Sequence, residues 1–427
     1  MHYNNAYQLA KKMKKIYLLL FLFCTSVHIM AQDAANILGS WTGKLDLGQM
    51  SLTVVLNFEQ ANGDVVCTLD SPDQGAKGIA ASKEFLSNDS VSIRIESIGA
   101  TYRARVCGNN LEGVFTQRGY SFPLNMTKGK RVVNRPQHPQ PPYPYTTEEV
   151  TFRNEKDGAT LAGTITYPVG YNAKQKPPVV LLVSGSGQQN RDEELMEHKP
   201  FLVIADYLAR NGIATLRYDD RATAASVGGD VLNATTEDFM RDAAAGIDFL
   251  RGLNKFKQIG CLGHSEGASI AFMLGSRKKA DFIVSMAGIG VKGDTALTAQ
   301  SNRLLELSGL SSSFTVKDYR EMLNAQPAVK WVQWFIDYDP SDDIRNTRCP
   351  VFALNGSSDC QVISSLNLRA IEQLLPSAKK NLIKEYPSLN HLFQHCTTGL
   401  PAEYGQIEET ISPEVLRDMA EWINYVN

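Results

Sequence analysis

The sequence predicts two parts in series: a small all-β domain, then a larger α/β domain whose sheet is mostly parallel and covered by helices on both faces. Three observations carry this. Residues 37–128 hold short runs that alternate apolar and polar with period two, separated by turn residues. Five prolines within residues 136–144 then break the pattern. Beyond them, unbroken apolar runs alternate with amphipathic helical runs, as strands buried on both faces require.

The chain has 427 residues, enough for two domains. Its 43 basic and 45 acidic residues give a net charge of −2, which leaves no basic excess for a nucleic-acid partner. At the start, Lys11, Lys12, Lys14 and Lys15 precede an apolar run at 16–23. That run is too short to span a bilayer and is flanked as a signal peptide is. Ala31 is a small residue suited to cleavage, so residues 1–31 are expected to be a removed leader, with Met13 a second candidate start. Cys24 raises the question of lipid attachment, but bulky Phe23 stands where a lipoprotein signal wants a small residue. The expectation is an exported protein, periplasmic or secreted, rather than a lipoprotein, with no stable membrane insertion once the leader is gone.

Residues 32–130 are expected to form a small barrel or sandwich of about eight strands. Leu52-Thr53-Val54-Val55-Leu56-Asn57-Phe58 and Val91-Ser92-Ile93-Arg94-Ile95 are examples, with turns at Asn62-Gly63-Asp64 and Gly108-Asn109-Asn110. Gly39-Ser40-Trp41 resembles the G-x-W start of lipocalin-like barrels, though Trp41 fits equally as a plug of core. Cys67 and Cys107 both fall in this region and are expected to pair. Cys261 and Cys349 flank core strands and are expected to stay free. No C-x-x-C occurs, so no zinc site is expected. Residues 131–147 are expected to be an extended linker, since proline suits neither helix nor central strand.

The second domain, 148–427, opens with a hairpin around Asp157-Gly158. Strands are then expected at Pro178-Val179-Val180-Leu181-Leu182-Val183, 213–218, Ile259-Gly260-Cys261-Leu262, Phe282-Ile283-Val284-Ser285-Met286, Val351-Phe352-Ala353-Leu354 and 381–386. Helices are expected at 201–210, 236–253 and after Ser412-Pro413, each with one apolar face. Between about 290 and 348 the alternation stops, and helix-like sequence intervenes that is too long for an ordinary connection. This insertion is expected to overhang the strand ends as a cap.

The stretch that organises the second domain is Gly263-His264-Ser265-Glu266-Gly267, between an apolar strand and a helix-prone run. A G-x-S-x-G between strand and helix makes a sharp turn that exposes the serine hydroxyl, and the helix N-terminus adds positive potential. A serine nucleophile needs a base and an acid, and in α/β-hydrolases these follow in the order Ser, Asp, His. Asp359, just after Val351-Phe352-Ala353-Leu354, and His391, after the last strand, match that order. The expected site is therefore Ser265 as nucleophile, His391 as base and Asp359 as acid. The backbone N–H groups of Glu266 and Ser186 would form the oxyanion hole. His391 and His395 have metal-pair spacing, but no further ligand completes a set, so neither metal nor cofactor is expected.

Gly185-Ser186-Gly187-Gln188-Gln189-Asn190-Arg191-Asp192-Glu193, His198-Lys199-Pro200-Phe201, Tyr218-Asp219-Asp220-Arg221 and Asn390-His391-Leu392-Phe393-Gln394 extend the match. Together with the pentapeptide and the loop from Asn355 onward, they resemble the bacterial α/β-hydrolase esterases that have a serine-peptidase-like core and a small N-terminal β domain. The resemblance implies an α/β-hydrolase fold with a helical cap, and hydrolysis of small-molecule carboxylic esters through an acyl-enzyme. After Asp219-Asp220-Arg221 such proteins usually continue with a glycine-rich turn and a lysine. Here Ala222-Thr223-Ala224-Ala225-Ser226 follows, so substrate preference is expected to differ. In the cap, Trp331, Trp334, Phe335 and Tyr338 recur at helical spacing and are expected to wall the substrate pocket. Two other functions compete: a serine peptidase or aminopeptidase on the same core, and a non-catalytic protein whose β domain holds a ligand.

Overall fold

A computed structural model describes residues 37–427 except 48–50, 62, 75, 87–88, 130–133, 173, 312 and 328. The expected leader lies outside the described residues. The chain divides into two compact units, one ending at Val133 and one from Asn134 to Asn427.

In the first unit, period-two alternation builds antiparallel strands with one face inward. They are β1 (Gly39–Asp46), β2 (Ser51–Ala61), β3 (Asp64–Ser71), β4 (Ala76–Leu86), β5 (Ser90–Ile95), β6 (Ala100–Cys107), β7 (Asn110–Gln117), β8 (Tyr120–Pro123) and β9 (Met126–Lys128). Their order is β6-β5-β4-β3-β2-β1-β9-β7-β8, and β6 also pairs with β7. That pairing closes the sheet into a barrel and leaves β8 outside the ring. Trp41, Leu56, Ile93, Tyr102 and Leu111 are fully buried in one cluster, so side chains fill the interior. The Trp41 indole N–H donates to the Ile37 carbonyl at 2.6 Å, and the Tyr102 hydroxyl to the Leu124 carbonyl at 3.0 Å. Trp41 is thus the core plug. The expected Cys67–Cys107 bridge is not formed, and both thiols are free. Cys67 lies on β3 and Cys107 on β6, with β4 and β5 between them. Two intervening strands separate the positions by roughly 14 Å, about twice the reach of a disulfide.

In the second unit the sheet order is β10-β11-β13-β12-β14-β15-β16-β17. The strands are β10 (Thr147–Asn154), β11 (Ala159–Thr166), β12 (Val179–Val183), β13 (Ala214–Tyr218), β14 (Ile259–His264), β15 (Ile283–Met286), β16 (Val351–Gly356) and β17 (Leu382–Tyr386). β10 and β11 form the antiparallel hairpin, and β11 joins β13 antiparallel; from there to β17 every pairing is parallel. β12 and β14 are buried at every position. One apolar cluster covers each face of the sheet. Helices α1 (Pro200–Arg210) and α10 (Pro413–Val426) lie on one side; α2 (Thr236–Gly252) and α3 (Glu266–Ser276) lie on the other. Pro200 opens α1 at a position where a missing N–H costs nothing. Thr235 starts α2 by donating its N–H and hydroxyl to the Asp238 carboxylate, and Ser412 caps α10.

Between β15 and β16 stand α4 (Gly293–Leu307), α5 (Val316–Asn324), α6 (Lys330–Asp337) and α7 (Ser341–Asn346), the helical insertion. α8 (Ser364–Leu374) follows β16, and the short α9 (Pro401–Tyr404) follows β17. The proline-rich stretch lies along the second unit. Arg135 donates to the carbonyls of Ile407, Met196 and Gly405, and Gln137 exchanges hydrogen bonds with Ile411 and Thr410.

Candidate active site

Parallel strands put their carboxyl ends on one edge, and the sequence-predicted residues gather there. Ser265 joins β14 to α3 with φ 55° and ψ −115°. This is a backbone region that a non-glycine residue occupies at a cost of about 1–3 kcal/mol. The turn is held from both sides. Ser265 N–H donates to the Met286 carbonyl at 2.8 Å, and its own carbonyl accepts from Ala268 N–H at 3.0 Å. A Cβ on Gly263 would lie 1.9 Å from the Gly267 carbonyl oxygen, and one on Gly267 would lie 2.1 Å from that of Val183. Only glycine at both positions lets β14, α3 and the loop after β12 meet so closely.

Asp359 follows β16 and His391 follows β17. The Asp359 carboxylate accepts from His391 Nδ1 at 2.7 Å, and both side chains are buried. The other Asp359 oxygen accepts the N–H groups of Gln361 and Val362, which fixes the carboxylate in its loop. A donor at Nδ1 leaves the lone pair on Nε2 free. Among the described residues no hydrogen bond joins Ser265 Oγ to His391, a contact that often tightens only with substrate in place. The competing acids are engaged elsewhere: Asp337 pairs with Arg320, and Asp339 accepts the Ser341 N–H. His395 pairs with Glu409, apart from the His391 ring. No group of three or more His, Cys, Asp or Glu suited to a metal occurs among the described residues.

Ser186 and Glu266 line the same cavity as Ser265. It measures about 170 Å³, and Ile289, Leu297, Trp331, Phe335 and Val362 supply its apolar wall. Of the four cap aromatics expected in the pocket, Trp331 and Phe335 line it. Trp334 and Tyr338 are not among its lining residues, and this corrects the sequence expectation. Trp331 stacks on Phe335 at 4.9 Å, and Trp334 stacks on Tyr338 at 5.0 Å. Both are i, i+4 pairs along α6 and the residue that ends it, and Phe335 is buried in the core cluster that Trp331, Trp334 and Tyr338 pack against. The Tyr338 hydroxyl donates to Asp343.

Sequence reasoning missed three groups. The Glu266 carboxylate is buried, and burial raises its pKa against hydrogen bonds from Thr236, Trp331 and Ser186. Thr236 Oγ1 donates to it at 2.6 Å and Trp331 Nε1 at 2.7 Å, which anchors the cap on the nucleophile turn. Asp220 is buried behind the loop after β12, where it accepts from Ser184 Oγ and the Gln189 N–H. Burial pushes it up to about 8, with Glu266 and Asp242 adding to the effect. His264 and Glu193 form a buried pair at 2.9 Å beside Ser265. Glu193 and Asp220 both stood in motifs recognised as wholes; no spacing in the sequence told which neighbour each would meet.

A family model described as serine aminopeptidase, S33, matches residues 197–312. The match contains Ser265 and ends before Asp359 and His391. The chain is 28% identical over 274 residues to the esterase EstD of Thermotoga maritima, covering 61% of this chain and 65% of that protein. The match therefore spans just under two thirds of the relative. The fold is similar to that of Est1E from Butyrivibrio proteoclasticus with ferulic acid bound, at 18% identity over 64% of this chain and 99% of that one, TM-score 0.44. It is also similar to the Pyrococcus furiosus esterase Pf2001, at 17% identity over 70% of this chain and 98% of that one, TM-score 0.44.

Proposed function

We propose that this chain, an α/β hydrolase of the serine-aminopeptidase-like kind with a small β-barrel domain before it, hydrolyses carboxylic esters of small molecules through an acyl-enzyme. Ser265 Oγ attacks the acyl carbonyl while His391 Nε2 takes its proton. Asp359 orients the imidazole and stabilises the positive charge that forms on it. The N–H groups of Glu266 and Ser186 receive the oxyanion. His391 then protonates the departing alcohol, and water repeats the sequence on the acyl-enzyme. One observation carries this reading: a strained Ser265 at a cavity mouth, on the same strand edge as a buried His391–Asp359 pair at 2.7 Å.

A peptidase on the same core is the second reading. It draws on the matched family description and on one carboxylate in the cavity, Glu266, which could meet a substrate ammonium. Glu266 is already occupied by Thr236, Trp331 and Ser186, which favours the ester reading. Paired assays with p-nitrophenyl butyrate and an aminoacyl p-nitroanilide separate the two. The ester should turn over faster by an order of magnitude or more; faster release of the anilide would reverse the assignment.

The reading includes export. Residues 1–31 would be removed, and no helix among the described residues is long and apolar enough to cross a membrane. N-terminal sequencing of protein from the periplasmic or secreted fraction should begin at Gln32.

A further inference from the structure

His264, the residue before the nucleophile, has both ring nitrogens engaged. Nε2 lies 2.9 Å from the His391 carbonyl oxygen. A carbonyl can only accept, so Nε2 carries a hydrogen. Nδ1 lies 2.9 Å from Glu193 Oε1, and the same oxygen accepts the Gly185 N–H at 2.8 Å. A carboxylate oxygen that already accepts one N–H meets the second nitrogen best as an acceptor again. Both nitrogens then donate, and the ring is an imidazolium. Its centroid lies 4.7 Å from that of His391. The three bonds join the loop after β12, the nucleophile turn and the loop after β17.

We propose that His264 is a charged positioning residue, paired with Glu193, which locks the base loop and the oxyanion loop to the nucleophile turn. Two donors in fixed bonds also prevent His264 from acting as a base, although it neighbours Ser265. Burial works against a charge on His264, but the Glu193 carboxylate, the His391 carbonyl and Asp359 outweigh it and raise its pKa. The groups facing the pair are His391 and Asp359, with Tyr404 behind the base loop. Along the Glu193 loop, Arg191 is held by Asp219, Asp192 by Arg217 and Lys199, and Glu194 by Lys199. The inference rests on the reading of His391 as base.

Nitrogen-15 NMR on the full histidine-labelled chain tests the charge directly. Both His264 nitrogens should carry a proton at neutral pH, where a free imidazole is mostly neutral. Glu193→Gln keeps an acceptor oxygen but loses the charge that holds the second proton on His264, and should lower kcat more than it changes KM. It should also leave His264 with a single ring proton. Glu193→Asp keeps the charge and should restore most of kcat and the second ring proton of His264. A singly protonated His264 in the wild-type protein would overturn the proposal. So would an unchanged kcat in a Glu193→Gln protein that melts like wild type. A charged His264 together with full turnover by His391→Ala would instead refute the base assignment and leave the charged pair standing.

Discussion

At Ser265 the chain accepts a backbone conformation that most residues avoid, and the surroundings rather than the turn itself maintain it. The Met286 carbonyl holds the Ser265 N–H, and the close approach at Gly263 and Gly267 leaves the loop no other path. Asp359 is fixed as firmly, since each of its carboxylate oxygens has its own donors. Asp359→Asn would put an amide where His391 needs an acceptor. It should lower kcat by about 10³-fold or more with the melting temperature nearly unchanged, by analogy with triad substitutions. Steady-state ester hydrolysis beside a thermal melt checks this; a near-silent Asp359→Asn would hand the role to another carboxylate. The order Ser, Asp, His was legible because each residue lies in the turn or loop that follows a strand. The pairing of His264 with Glu193 was not, because it depends on how the loop after β12 folds over the turn.

At the level of elements, α6 decides what the cavity offers a substrate. Its aromatics recur at helical spacing, which announced a packed face but not how that face is turned. The Trp331–Glu266 hydrogen bond ties α6 to the cavity, which Trp331 and Phe335 line; Trp334 and Tyr338 are not among its lining residues, and all four belong to or pack on the apolar core. Trp331→Ala and Phe335→Ala should therefore change kcat/KM for bulky or aryl esters by about tenfold, and less for acetyl esters of small alcohols. Trp334→Ala, at a half-buried position that does not line the cavity, should lower stability by about 1–2 kcal/mol with the ratio between esters preserved. Kinetics over an ester series beside denaturant melts distinguish the two; a shifted ratio in Trp334→Ala would mean that α6 is turned the other way.

Over the whole molecule, the strand and helix pattern of both units was legible, since periods of two and 3.6 report burial directly. The barrel closure was not, because β6–β7 pairing leaves no mark in local alternation. Nor did composition reveal that Arg135 and Gln137 fasten the proline-rich stretch to the catalytic unit. The contacts that join distant segments also make stability depend on pH. His198 is fully buried against Thr410 and the Tyr404 carbonyl. Burial and the nearby Arg135 charge lower its pKa to about 4, although the bond to Tyr404 opposes them. An unfolded imidazole takes up a proton near pH 6.5, which the folded chain refuses until about pH 4. Stability present above that upper value should fall across the window, by up to about 3 kcal/mol. Urea melts at neutral and acid pH should record the loss in the wild type and a smaller one in His198→Gln; equal losses would place the sensitivity elsewhere. The central claim, an acyl group carried on Ser265, is tested most directly by peptide mass mapping after acid quench of the enzyme with a slowly deacylating ester. The account predicts one acyl adduct per chain, on the peptide holding Ser265. In Ser265→Ala the adduct should be absent and turnover lower by about 10³-fold or more. An adduct on another residue, or near-normal turnover by Ser265→Ala, would contradict it.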